Sequence, residues 1–207
     1  TYVHRGSSFE AALTDAVSLL QEGDAANVLV GAADEITEKS HAILKRFGLY
    51  KSDGENLSLI NSNTKGTMAG DGASFFVVSI NKEKAIAELV AFENFYKPQK
   101  DATGLISDFL QQHQISAREI DLVITGENGD ARNDAHYSEI TNSVFKNNQL
   151  ATFKQYCGEY PTSIGFALWM ASHILQQGSF NGNPVRKLLV YNNYMLQYPS
   201  VYLLSAC

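Results

Sequence analysis

Apolar positions along this chain switch between two periods. In residues 8–21 they fall at Phe9, Ala12, Leu13, Ala16, Val17 and Leu20, the spacing of a helix with one buried face. "NVLVGAADE", residues 27–35, is instead a continuous apolar run that predicts a short strand passing into a loop. Residues 37–47 return to helical spacing and stop at Gly48, a residue suited to the left-handed conformation after a helix. Residues 50–73 are rich in Ser, Asn, Gly and Asp and predict a long irregular segment with short elements inside it. "SFFVVSI" and "AIAELVAFENFY" predict two strands, and the four residues "NKEK" between them favour a hairpin.

Pro98 and the polar run "KPQKDATG" interrupt the pattern. Beyond them Leu105, Ile106, Phe109 and Leu110 predict a helix, "SARE" has the spacing of a capping box, and "IDLVITG" is an apolar strand. A further helix is expected over residues 133–145 with an Asn or Asp cap, and "ATFKQYCG" reads as a strand. Ile164, Ala167, Leu168, Ala171, Ile174 and Leu175 predict a buried helix after Pro161, and "KLLVYNNY" and "SVYLLSA" are two last strands. Strands that alternate with helices, several of them apolar throughout, require a sheet covered on both faces. The expected class is therefore an α/β layered fold.

With 207 residues, 44% of them hydrophobic and 18% charged, the chain has enough apolar material for one or two domains. A net charge of −6 and scattered Lys and Arg exclude the clustered basic face of a nucleic-acid binder. No apolar run approaches the roughly 20 residues that cross a bilayer, and "TYVHRGSSFE" lacks the regions of a signal peptide, so a soluble, cytoplasmic protein without membrane contact is expected. Cys157, Cys207 and five separated His residues give no metal spacing; neither a metal nor a cofactor is expected.

Five segments together resemble the β-ketoacyl-acyl-carrier-protein synthases, the condensing enzymes of the thiolase fold. "AALTDAVSLLQEGDAANVLVGAADE" is similar to the helix behind the family's nucleophile and the strand after it. "GDGASFFVVS" looks like the Gly-Glu-Gly-Ala segment, and "KAIAELVAFENFY" is similar to the strand that follows. "SAREIDLVITGENGDARNDAHYSEITNSVF" matches the stretch with the His-Gly-Thr loop, and "FKQYCGEYPTSIGFALWMASHIL" resembles the Lys-x-x-x-Gly-His loop and its helix. The resemblance implies a thiolase-like layered αβαβα fold of which this chain supplies the C-terminal portion. Residues 1–97 then end the N-terminal half and residues 98–207 form the C-terminal half. It also implies that the rest of the first half comes from preceding polypeptide or a separate chain. The implied partners are a second copy or a ketosynthase in a dimer, and acyl carrier protein.

The same alignment puts Gly6 where the family has its nucleophilic Cys, with Ser7 and Ser8 just after it. Gly126 stands at the first catalytic His, with Glu127, Asn128 and Asp130 nearby, and Glu159 stands at the second, while Lys154 keeps the family's Lys. "NNYMLQYPS" replaces the Gly-rich loop. These substitutions imply a non-catalytic partner of an active ketosynthase, comparable to a chain-length factor. The alternatives are an acyltransferase or condensing enzyme whose nucleophile has moved to Ser7, Ser8 or Cys157, and a protein that binds an acyl ligand without turnover. A Ser nucleophile needs a base within hydrogen-bond reach; without one, Ser7 or Ser8 is expected to cap the helix.

Overall fold

A computed structural model describes residues 1–4, 6–52, 58–60 and 62–207. The first helix, α1 (Ser8–Glu22), ends at Gly23, whose φ of 80° is left-handed. It lies against a two-stranded antiparallel sheet of β1 (Asn27–Asp34) and β2 (Gly72–Ser79), paired over their full length from Asn27↔Ser79 to Asp34↔Gly72. Alternation decides the faces of this pair. Val28, Val30, Ala32, Phe76 and Val78 point into the core, whereas Leu29, Phe75 and Val77 remain 69%, 64% and 70% exposed on the outside. Between the strands, α2 (Glu38–Arg46) starts with a capping box between Thr37 and Ser40, buries no residue, and is followed by Gly48 at φ 73°.

The second sheet has five strands in the order β3 (Glu88–Asn94), β9 (Tyr198–Ser205), β8 (Lys187–Tyr194), β4 (Leu122–Thr125) and β5 (Gln149–Thr152), and a separate short pair, β6 (Ser179–Phe180) and β7 (Asn183–Pro184), precedes β8. β4 is parallel to both of its neighbours; β9 is antiparallel to β8 and β3. One face packs with Phe9, Leu13 and Ala16 of α1 and with Ile164, Ala167, Ala171 and Ile174 of α6 (Ile164–Gln177). The other packs with Ile106 and Phe109 of α3 (Ala102–Gln112) and Tyr137 and Ile140 of α4 (Ala131–Ser143). The order of layers is two-stranded sheet, helices α1 and α6, five-stranded sheet, helices α3 and α4. Both faces of the larger sheet are covered, as continuous apolar strands demand.

Two local expectations fail. "SFFVVSI" and "AIAELVAFENFY" do not form a hairpin: β2 pairs with β1 and β3 with β9, so residues 80–87 carry the chain from one sheet to the other. A short polar connection permits a hairpin but does not choose the partner, and here each strand finds longer pairing elsewhere. "ATFKQYCG" is a strand only to Thr152; Phe153 turns to φ −111°, ψ −29°, and Lys154–Cys157 form one helical turn, α5. The expected capping box at "SARE" is present between Ser116 and Glu119, on a single 3-10 turn, and Asp130 caps α4. Of the irregular segment 50–73, residues 53–57 and Asn61 lie outside the described residues.

Candidate functional site

The parallel strands β4, β5 and β8 end together, and the loops beyond them bring the expected positions 126, 154 and 159 to one place. Lys154 is completely buried because the turn after β5 directs it inward. Its Nζ donates to Glu159 Oε2 at 2.7 Å, and Asn128 Nδ2 donates to the same oxygen at 2.6 Å. Glu159 is thereby held as an acceptor, with its second oxygen buried and without a partner among the described residues. It offers no donor to an oxyanion. At Gly126 a Cβ would overlap Asn192 Oδ1 and approach the Tyr137 hydroxyl to 2.8 Å. That hydroxyl accepts from the Asn193 N–H at 2.9 Å, which fixes its place. No side chain fits at position 126 without displacing this pair.

The irregular segment fastens the loop after β4. Lys51, almost fully buried, donates to Ser62 Oγ at 2.9 Å, Thr64 Oγ1 at 2.5 Å and the Gly129 carbonyl at 3.1 Å. The Gly66 N–H donates to Asp130 at 2.7 Å, and the Thr67 hydroxyl to the Asn128 carbonyl at 2.5 Å. From the other side Asp134 accepts from the N–H groups of Asn128 and Gly129 at 2.9 and 3.0 Å. The loop containing Glu127, Asn128 and Asp130 is thus a clamped structural turn. Glu127 stands on it with its carboxyl pushed up to about 7, by burial first and then by the charge of Asp134.

At the start of α1, Gly6 is buried beneath the ring of Tyr198, and a Cβ there would lie inside that ring's van der Waals surface. Tyr198 is the first residue of β9 and also meets His4 edge-on at 5.4 Å between centroids. Ser7 occupies the N-cap position of α1, but its hydroxyl makes no cap bond. It lies 3.0 Å from His4 Nδ1. The expectation that Ser7 or Ser8 caps the helix is corrected: Ser7 is drawn to the imidazole, and the Ser8 hydroxyl donates to the His4 carbonyl. His4, Tyr198, Asn192 and Tyr137 went unnoticed in the sequence, since no local periodicity or motif ties them to Ser7, Gly6 or Gly126.

Glu10, in the first turn of α1, is buried beside Ser200, and burial raises its carboxyl from 4.5 to about 7. A group with a raised folded pKa binds a proton that the unfolded chain does not hold. This group therefore favours folding most below about pH 4.5, that advantage disappears as pH rises to 7, and nothing changes above. Glu10→Gln should flatten the decline and make the protein more stable at pH 8, by on the order of 2 kcal/mol. Urea melts at pH 5 and pH 8 measure this; an unchanged pH dependence in the variant would contradict the assignment.

Cys157 donates to backbone carbonyls, and burial pushes its thiol up to about 12, so the thiolate needed for attack is absent near neutral pH. Lys154, Glu159 and Cys157 are brought together, while Ser7 belongs to the separate α1 terminus. Among the described residues no group of three His, Cys, Asp or Glu side chains is arranged to hold a metal ion, and no helix is long and apolar enough to cross a membrane.

No family model matches the sequence, and no curated protein does. Solved structures do match its fold. The ishigamide ketosynthase/chain length factor superposes with a TM-score of 0.79 at 15% identity, over 98% of this chain and 59% of the other. A β-ketoacyl synthase from Burkholderia phymatum gives 0.76 at 13% identity, over 98% and 60%. A type II polyketide acyl-carrier protein in complex with its ketosynthase gives 0.77 at 14% identity, over 97% and 61%. The chain spans about three-fifths of the length of these structures, and within that span it has the thiolase-like fold of the ketosynthases.

Proposed function

We propose, for a chain with the ketosynthase fold, a non-catalytic role beside an active ketosynthase in fatty-acid or polyketide-type synthesis, comparable to that of a chain-length factor. One observation carries this reading. Each position that the resemblance assigns to catalysis is filled by a contact that excludes the catalytic group: Tyr198 over Gly6, Asn192 and Tyr137 against Gly126, and Lys154 with Asn128 on Glu159. Condensation needs a thiolate nucleophile and donors for the developing oxyanion, and these contacts supply neither. The outward Leu29, Phe75 and Val77 support an assembly, since an apolar sheet face of this kind calls for cover. The remainder of the first thiolase-like half, on the same or another polypeptide, is the proposed cover, and acyl carrier protein the substrate carrier.

The experiment adds this chain to an active ketosynthase supplied with acyl- and malonyl-carrier proteins. The expected result is a stoichiometric complex whose products differ in chain length from those of the ketosynthase alone. Complex formation with an unchanged product distribution, or no complex at all, would contradict the role.

A further inference from the structure

We propose that Ser7 and His4 form a nucleophile and base pair that hydrolyses activated acyl groups, thioesters or aryl esters carrying an alkyl chain. This activity is separate from condensation and stands on its own geometry. Ser7 Oγ lies 3.0 Å from His4 Nδ1, and the Gly6 N–H is directed at the same nitrogen at 3.4 Å. An N–H donor at Nδ1 requires a lone pair there, so the ring proton sits on Nε2 and the Ser7 O–H is the donor to Nδ1. That is the tautomer a base needs.

The His4 backbone and the His4 ring are each held. The His4 backbone N–H donates to Ser8 Oγ at 2.7 Å, the Ser8 hydroxyl donates back to the His4 carbonyl, and the Tyr198 ring meets the imidazole edge-on. Ser7 has the freedom to act because it forgoes the cap bond usual at its position.

A cleft of about 790 Å³ begins at His4 and Ser8 and runs between Ala12, Ala16 and Leu19 on one side and Val28 and Val30 on the other. Asp15, Asp34 and Glu35 also line it, and its apolar stretch suits an alkyl chain; Ser7 is not among the lining residues but stands between Gly6 and Ser8 at the cleft's His4 and Ser8 end.

In the reaction Ser7 Oγ attacks the acyl carbon while His4 Nδ1 takes the hydroxyl proton. The bond from carbon to the leaving sulfur or oxygen breaks, and the imidazolium returns that proton to the leaving group. Water then attacks the acyl-Ser ester, giving one proton to Nδ1, which passes it to Ser7 Oγ. The net change is ester or thioester plus water to acid plus thiol or alcohol. The N-terminal end of α1 favours the negative charge that develops at the carbonyl.

The test is hydrolysis of p-nitrophenyl octanoate by the full chain, with the acyl adduct mapped by mass spectrometry. The expected result is an adduct on Ser7 and a fall of about 10²-fold or more in Ser7→Ala and in His4→Ala. Added imidazole should restore part of the His4→Ala rate and none of the Ser7→Ala rate, which a folding defect would not produce. Wild-type hydrolysis by Ser7→Ala, an adduct elsewhere, or no turnover above buffer would overturn the proposal. None of these outcomes bears on the role beside a ketosynthase, which is read from product length.

Discussion

Replacing Gly6 by Ala is expected to destabilise the protein by about 2–3 kcal/mol, and replacing Tyr198 by Ala as well is expected to remove most of that cost. The expectation rests on the absence of space for even one carbon at position 6, where the Tyr198 ring already lies. Tyr198 has little freedom to withdraw. It starts β9, and its ring is flanked by His4, Tyr96 and Tyr194 at centroid distances of 5.4, 5.2 and 6.4 Å. The turn that delivers it, between β8 and β9, has Met195 and Leu196 at φ 54° and 56°, values unfavourable for residues with a Cβ. A double-mutant cycle in urea should give a coupling of at least about 1.5 kcal/mol. Costs that simply add would place Tyr198 away from Gly6. The same variants bear on chemistry, because any Cys introduced at position 6 meets the ring before it meets a substrate.

The other two positions are closed by different physics. At Gly126 the obstacle is again steric, with Asn192 and Tyr137 occupying the space a side chain needs. At Glu159 it is electrostatic. A fully buried ammonium is costly in an apolar interior unless it is paired and hydrogen-bonded, and Glu159 Oε2 meets that requirement for Lys154 at 2.7 Å. A neutral imidazole in place of Glu159 would leave the Lys154 charge without its counter-ion. The Lys and the Glu are therefore explained as a pair, each as a consequence of the other.

Much of the architecture was legible in the sequence. α1, α6 and the strands β1, β4, β8 and β9 follow from apolar runs whose period matches their burial, because one buried stripe or two covered faces leave a direct trace in residue order. The partner of β3 was not legible. Glu88–Asn94 pairs with Tyr198–Ser205, over a hundred residues away, and no local pattern encodes that choice. The site was half legible. The resemblance pointed to Gly6, Gly126, Lys154 and Glu159, and three of these four meet at the ends of the parallel strands. What occupies the space around them was not readable, since Tyr198, Asn192 and Lys51 act through contacts spanning 66 to 192 positions in sequence, and Tyr137 reaches Gly126 across a loop without periodicity. His4 was missed for the opposite reason: it is so near Ser7 that only the path of the backbone reveals the imidazole turned back onto the hydroxyl.

The largest effect expected of this protein is the complete absence of carbon–carbon bond formation when it acts alone. Condensation by a ketosynthase needs an acyl group on a thiolate, then decarboxylation of the malonyl unit with its enolate oxygen held by donors. At the positions the resemblance assigns to these groups, a ring covers Gly6, an amide fills the space at Gly126, and Glu159 is taken up by an ion pair. Incubating the purified chain with acyl- and malonyl-carrier proteins, and following the acyl products by mass spectrometry, measures this directly. The account predicts no β-ketoacyl product, with free acid as the sole change in the acyl group. A β-ketoacyl product formed by this chain alone, at a rate above an incubation without protein, would contradict it.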